Sequence, residues 1–476
     1  MKKTFWTGVS RAMVWACVIT LMVFGLSGCL GDSGDKTQEI IASTDEERLP
    51  ETNVPETEIS TETEPPSESV ASTGEAVNTA PYTVDAGSIL GELPVYTDDE
   101  FSKIKDMGDG SEMLIFEGAI TDEGFLRYQD ALEKQGYQLY TDHQIEENQF
   151  ATWVNEEVTV TMVCMPSKER VHIIAEPTGD LPGLAEDNTY VDLGVENLVA
   201  QVGGDFNGNK KNGMCYVYRL CDGSFIIVDA PHQPQECADA LYNTLRKLAP
   251  DPENIVIAAW FITHAHNDHV GGVITFANSY AEKVTVERLV YNFPSEKDFR
   301  RGGANYTYAE QTMELVSYYQ GVKVIEAHPG QVFYLRDARI EMLYTWELME
   351  ERVDYFNNTS LVFTVELGDE RIMQLGDCGP IASELNISMY GEYLKSDMMQ
   401  VAHHGSSGVL ARHNEIIDAD IVLWPSNEEG FQTYREQVYN QPLFEAETIY
   451  LAGGDVTVLP LPYDPSSVEC WDAYEN

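Results

Sequence analysis

Residues Phe261–Gly272, "FITHAHNDHVGG", hold three of the chain's ten histidines and an aspartate within six positions. A nearly all-apolar run, "NIVIAAWFITH" (254–264), leads into them, and Gly271–Gly272 close the stretch. An unbroken apolar run of this length reads as a buried strand, and the glycines read as the opening of a helix. Residues two apart on an extended segment face the same way, so His264 and His266 can hold one metal ion. Asp268 and His269 follow where the chain turns towards the helix, and they point to a second position. Neutral imidazole with carboxylate suits zinc, with manganese or iron as alternatives. The fold must therefore expose a strand end and bring further ligands to it.

Two later segments supply them. "RIMQLGDC" (371–378) carries Asp377 off the end of an apolar strand, where a carboxylate can bridge two cations. "MMQVAHHGSSG" (398–408) delivers His403 and His404 off another. Three strands thus offer ligands at their C-terminal ends, where open α/β sheets place their sites.

The H-x-H-x-D-H cluster resembles that of the metallo-β-lactamase superfamily. "NNTSLVF" (357–363), "LGD" (375–377) and "VAHHGSSG" (401–408) look like the branch containing the nuclease domain of competence DNA-uptake channels. Phosphorylcholine esterases and other phosphodiesterases are broader relatives. The resemblance covers residues 190 to about 430 and implies an αββα sandwich with two metal ions at one edge of its sheets. It implies His264, His266, Asp268, His269, Asp377 and one of His403 and His404 as metal ligands, His404 matching related sites slightly better, with Asp268 also orienting the bridging water. His403 would then be an outer partner or a proton donor to the leaving group. Asp229, ending "FIIVDA" (225–230), would orient a ligand histidine, although Pro231 stands where a glycine is common. Most members carry another histidine before the bridging aspartate. Only His328, in "EAHPGQVFYL" (326–335), lies in that interval, and it reads either as a ligand or as a residue of a turn entering a strand. His232 and His413 read as structural or solvent-facing.

The rest of the chain divides by composition. Residues 1–28 read as a leader: a basic start, an apolar stretch (Met13–Leu26) too short to span a bilayer, then "LSGC". That ending resembles the lipobox of bacterial lipoproteins, which would make Cys29 a lipid-bearing first residue and place the protein outside the cytoplasm on the cell membrane. Residues 29–88, rich in Thr, Glu, Ser and Pro, cannot bury enough apolar surface to fold and read as a disordered, extended tether. Residues 89–180 read as a small α+β unit with no reactive cluster, expected to fold separately, and 189–476 as the hydrolase domain. The expected class is α+β. The six cysteines after Cys29 contain no C-x-x-C, which argues against a zinc ribbon.

The metal cluster points to hydrolysis by metal-activated water, with zinc or manganese as the pair of ions. A phosphodiester is the leading substrate class; a lactone or amide, β-lactams included, is the alternative, and a non-catalytic binding protein is the third reading. Arg300 and Arg301 could clamp a phosphate. The formal charge of -50 disfavours nucleic acid and anionic surfaces at long range without closing a screened cleft to them.

Overall fold

Alternation explains the N-terminal sheet. In β2 (Ser111–Glu117), Leu114 and Phe116 face one way and Met113 and Ile115 the other, and all four are buried. The computed structural model describes residues 81–118, 122–204, 213–301, 306–350 and 356–474. The leader, Cys29 and nearly all of the tether lie outside them. Among the described residues no helix is long and apolar enough to cross a membrane.

β1 (Glu100–Gly108), β2, α1 (Asp122–Lys134), β3 (Gln138–Ile145), β4 (Asn148–Val154), β5 (Val158–Met165) and β6 (Arg170–Pro177) form the first unit. Its strands make an antiparallel sheet in the order β1-β2-β6-β5-β4-β3. One face packs against Phe125, Tyr128 and Leu132 of α1. The other, with Ile115, Phe150, Val163 and Ile174, shares a core with Tyr344, Trp346, Leu348 and Phe356 from later in the chain. A sheet apolar on both faces needs two covers, and its own helix supplies only one.

The rest of the chain follows as β7 (Asn197–Val202), β8 (Met214–Arg219), β9 (Phe225–Ala230), α2 (Gln235–Leu248), β10 (Ile255–Phe261), α3 (Asn267–Tyr280), β11 (Val284–Val286), β12 (Arg288–Tyr291), α4 (Glu296–Arg301), α5 (Thr307–Met313) and β13 (Lys323–Glu326). Then come β14 (Val332–Leu335), β15 (Ala338–Tyr344), β16 (Val362–Leu367), β17 (Glu370–Gln374), α6 (Pro380–Tyr390), β18 (Met398–Gln400), α7 (Ala411–Ile417), β19 (Ile421–Trp424), α8 (Glu428–Tyr434), β20 (Thr448–Leu451), β21 (Asp455–Leu461) and β22 (Glu469–Asp472). One sheet runs β13-β12-β10-β9-β8-β7-β21-β22, with β11 on β10; the other runs β14 through β20 in sequence order. Their inner faces bury Tyr216, Val228 and Phe261 against Phe333, Phe363 and Leu423. The helices α2 and α3 cover one outer face, and α6 and α7 the other. This is the αββα sandwich within an α+β chain.

One local expectation is corrected. The glycine pair does not open the helix after the histidine cluster: α3 begins at Asn267, with His266 as its N-cap, and Gly271–Gly272 lie inside it. The reason is close packing. A Cβ on Gly272 would sit 2.2 Å from the Pro231 carbonyl oxygen, so the glycines let α3 press onto the loop after β9.

The six described cysteines are free thiols, five of them buried.

Candidate metal centre

Three strand ends are tied together before any ligand is placed. Leu361 N donates to the Thr263 carbonyl (3.0 Å), His403 N to the Gly376 carbonyl (3.1 Å), and Asp377 N to Ser360 Oγ (3.1 Å). These bonds bring the exits of β10, β17 and β18 to one edge of the sandwich.

Hydrogen bonds then set which nitrogen each histidine offers. Asp229, fully buried, accepts from Thr263 N through Oδ1 and from Thr263 Oγ1 and His269 Nδ1 through Oδ2, each at 2.7 Å. A carboxylate only accepts, so Nδ1 of His269 carries a proton and Nε2 turns its lone pair to the site. Thr263 Oγ1 spends its hydrogen on Asp229 and therefore accepts from His264 Nδ1 (3.1 Å), which fixes the same tautomer there. The Pro425 carbonyl accepts from His404 Nδ1 (2.9 Å) with the same result. All three imidazoles present Nε2.

Those nitrogens converge on Asp377. Its Oδ1 lies 3.2 Å from His269 Nε2 and 3.7 Å from His404 Nε2, and its Oδ2 lies 3.8 Å from His264 Nε2. Asp268 Oδ2 is 3.3 Å from His404 Nε2. Two groups of potential ligands result: His264, His269 and Asp377, and Asp268, His269 and His404. His266 joins the first through its Nδ1, 2.9 Å from His264 Nε2. His269 Nε2, His404 Nε2 and Asp377 Oδ1 are buried without a hydrogen-bond partner. Convergent, orphaned buried acceptors of this kind fit divalent cations.

The electrostatics agree. Burial pushes the Asp377 carboxyl up, but His269, His403 and His404 outweigh it and hold it well below the usual range. Asp268 is likewise held down against burial, by His404 and His269. Burial and the neighbouring His269 and His266 keep His264 neutral, the form a metal needs. His269 and His404 are raised against burial by the carboxylates around them, so a metal displaces protons there.

The structure separates the adjacent histidines. His403 and His404 both have left-handed backbones, with φ of 49° and 55°. Trp424 Nε1 donates to the His404 carbonyl (3.0 Å) and holds that turn, and a Cβ on Gly405 would strike the Trp424 ring at 2.2 Å. His404 is thereby driven inward. His403 is 14% exposed, lies against Asn357 Nδ2 (3.1 Å) and Ser407 Oγ (2.6 Å), and has Nε2 3.6 Å from Asp377 Oδ2. His404→Ala is therefore expected to cost at least ~10-fold in metal affinity, and His403→Ala to leave metal content near wild type. Metal analysis of the purified variants checks this; an equal loss would reassign His403 as a ligand.

His328 is elsewhere: its ring lies between Glu347 and Glu176. His413 is buried, with its pKa lowered by burial to about 3. Arg300 lies on the exposed side of α4, with its guanidinium engaged by Glu296; the side chain of Arg301 lies outside the described residues. Sequence reasoning missed Thr263, Ser360 and Pro425, whose roles arise from contacts across the fold. Phe356 was also missed; it packs on His266 (4.9 Å between ring centroids) and Phe299 (4.4 Å).

A two-sheet sandwich with histidine and aspartate ligands at its edge defines a metallo-β-lactamase-type metal centre. The family model "Metallo-beta-lactamase superfamily" matches residues 211–415, which include every ligand named above. No curated protein sequence matches the chain. Among solved structures, the metallo-beta-lactamase fold protein YhfI from Bacillus subtilis is similar at 10% identity, covering 56% of this chain and 100% of that one with a TM-score of 0.32. Human tRNase Z, short form, is similar at 15% identity (56% and 99% covered, TM-score 0.32). Unliganded yeast PDE1 is similar at 11% identity (54% and 98% covered, TM-score 0.33). Likenesses this distant carry no argument about activity.

Proposed function

We propose that the protein is a metal-dependent hydrolase acting on a phosphodiester, held at the outer face of the cell membrane by lipid on Cys29. The observation that carries the hydrolytic reading is the convergence of His264, His266, Asp268, His269, Asp377 and His404 at the joined ends of three strands. Zinc or manganese ions held there would supply a hydroxide at neutral pH and polarise a substrate oxygen. Asp377 keeps the two ligand groups at a fixed separation. Asp268, partly exposed at the mouth, orients the attacking water. His403, braced by Asn357 and Ser407, is placed to move a proton at Nε2 as the leaving group departs. The choice of phosphodiester rests on "NNTSLVF", "LGD" and "VAHHGSSG".

The test is turnover by the purified mature chain, reconstituted with zinc or manganese. Its substrates are bis(p-nitrophenyl) phosphate, p-nitrophenyl phosphorylcholine, a simple lactone and a chromogenic β-lactam. A higher kcat/KM on a phosphodiester supports the reading; preference for the lactone or β-lactam overturns the substrate class, and inactivity on all four favours a binding protein. Anchoring is tested separately. Cys29→Ala is expected to move the protein from the membrane fraction to the medium or to leave its precursor unprocessed, and unchanged attachment would rule the anchor out.

A further inference from the structure

A second buried cluster of titratable groups lies where the N-terminal sheet meets the hydrolase domain. His328, 1% exposed, stands between two glutamates. Its Nδ1 is 3.0 Å from both carboxylate oxygens of Glu347, and its Nε2 is 3.1 Å from Glu176 Oε1 at the end of β6. Thr345 Oγ1 donates to Glu347 (2.8 Å), and the His328 N–H donates to Gln331 Oε1 (3.0 Å). One buried imidazole thus joins the N-terminal sheet to the hydrolase domain.

The same sheet grips the following residues. Lys105 Nζ donates to the Met349 carbonyl (2.8 Å) and lies 4.4 Å from the Trp346 ring centroid. Lys103 Nζ donates to the Glu350 carbonyl (2.7 Å), and Arg170 pairs with the Glu350 carboxylate. One residue before Thr345, the Tyr344 hydroxyl donates to the Asn358 carbonyl (2.7 Å). Asn358 sits among Phe356, Asn357 and Ser360, which touch His266, His403 and the backbone of Asp377. Residues 344–350 are therefore held by the N-terminal sheet on one side and tied to the wall of the metal centre on the other.

We propose that the N-terminal sheet is a pH-sensitive clamp on the wall of the metal centre, closed by protonated His328 between Glu176 and Glu347 and loosened when that proton leaves. The cation is what makes the pocket stable. With it, both glutamates have a charged donor; without it, a neutral ring can donate to only one of two neighbouring carboxylates. The other groups facing the cluster are Glu326 of β13, Asp109 of the β1–β2 turn, Lys105 of β1, and His172 of β6, which burial keeps neutral.

Burial alone would lower the pKa of His328, but Glu176 and Glu347 raise it well above the usual value. A cation whose pKa is raised by folding stabilises fully below its unfolded pKa, near 6.5, and loses that contribution as pH climbs through the raised value. The clamp is closed in acid and loosens towards alkaline pH. Lys105, lowered to about 8 by burial, has the opposite linkage, since losing its proton relieves a buried charge; Glu326, raised to about 8, shares the sign of His328 and titrates with the same cluster.

Hydrogen exchange on the full mature chain from pH 6 to 9.5, corrected for intrinsic rates, reads the clamp without requiring turnover. Failure of the clamp and failure of the hydrolase reading are thus distinguishable. Protection of peptides covering 344–350 and 356–361 is expected to fall about tenfold or more across this range, while 362–374 holds, as expected for a locally opening unit. Glu176→Gln, close in shape, removes one of the two carboxylates and should move the midpoint down by about one pH unit or more. His328→Gln should show weak protection at every pH. A flat wild-type profile, or a Glu176→Gln midpoint that stays put or rises, overturns the proposal.

Discussion

Asp377→Ala is expected to abolish metal binding and hydrolysis together while leaving the fold standing. The two oxygens of Asp377 face different histidines, Oδ1 towards His269 and His404 and Oδ2 towards His264. A carboxylate so placed offsets the repulsion between two cations, so its loss affects both positions. An outer partner's loss costs about 10–100-fold in metal affinity, and loss of the bridge should exceed that. Several kcal/mol of transition-state stabilisation leaves with the ions, so activity should drop by roughly a thousandfold or more. The fold survives because β16 and β17 remain paired from Phe363–Gln374 to Leu367–Glu370 and their inner faces stay buried. Metal analysis and thermal unfolding of the variant check this. Full metal occupancy in Asp377→Ala would end the dinuclear reading and favour a binding protein.

The second large effect is expected at Asp229, which touches no metal position. Asp229→Ala strands the Thr263 N–H and the His269 Nδ1–H in a dry interior, at about 1–3 kcal/mol each. It also puts alanine at a φ of 54°, where Asp and Asn are far better tolerated. Asp229→Asn separates the two consequences. Asparagine accepts that backbone angle and keeps the volume, so stability should fall less. Its amide offers one acceptor and one donor in place of two acceptors. If Oδ1 keeps the Thr263 N–H, the amide donor faces His269 Nδ1 and favours the tautomer with a proton on Nε2, pointing at the metal. Asp229→Asn should therefore lose metal by about 10–100-fold despite a smaller loss of stability. Metal titration alongside urea unfolding measures both quantities; metal affinity tracking stability in the two variants would reduce Asp229 to a packing role.

Much of this centre was legible because local spacing encodes direction. Apolar runs marked the strands that carry the ligands, and alternation placed His264 and His266 together. "LGD" put Asp377 just past a strand end, and the αββα layering followed from the family-like order of these pieces. Tertiary structure decided what spacing cannot. The adjacent His403 and His404 share a left-handed turn, and the inward one is selected by Trp424 and Pro425 at the end of β19. The glycine pair reads as a helix start, yet it serves contact with the Pro231 loop inside a helix already begun. His328 reads as either a ligand or a loop residue because its two partners, Glu176 and Glu347, are 152 and 19 positions away. Along a regular strand, the direction of a side chain follows from its position in the alternation. Its charge state and its partner follow from what the folded chain brings alongside, and no local period records that.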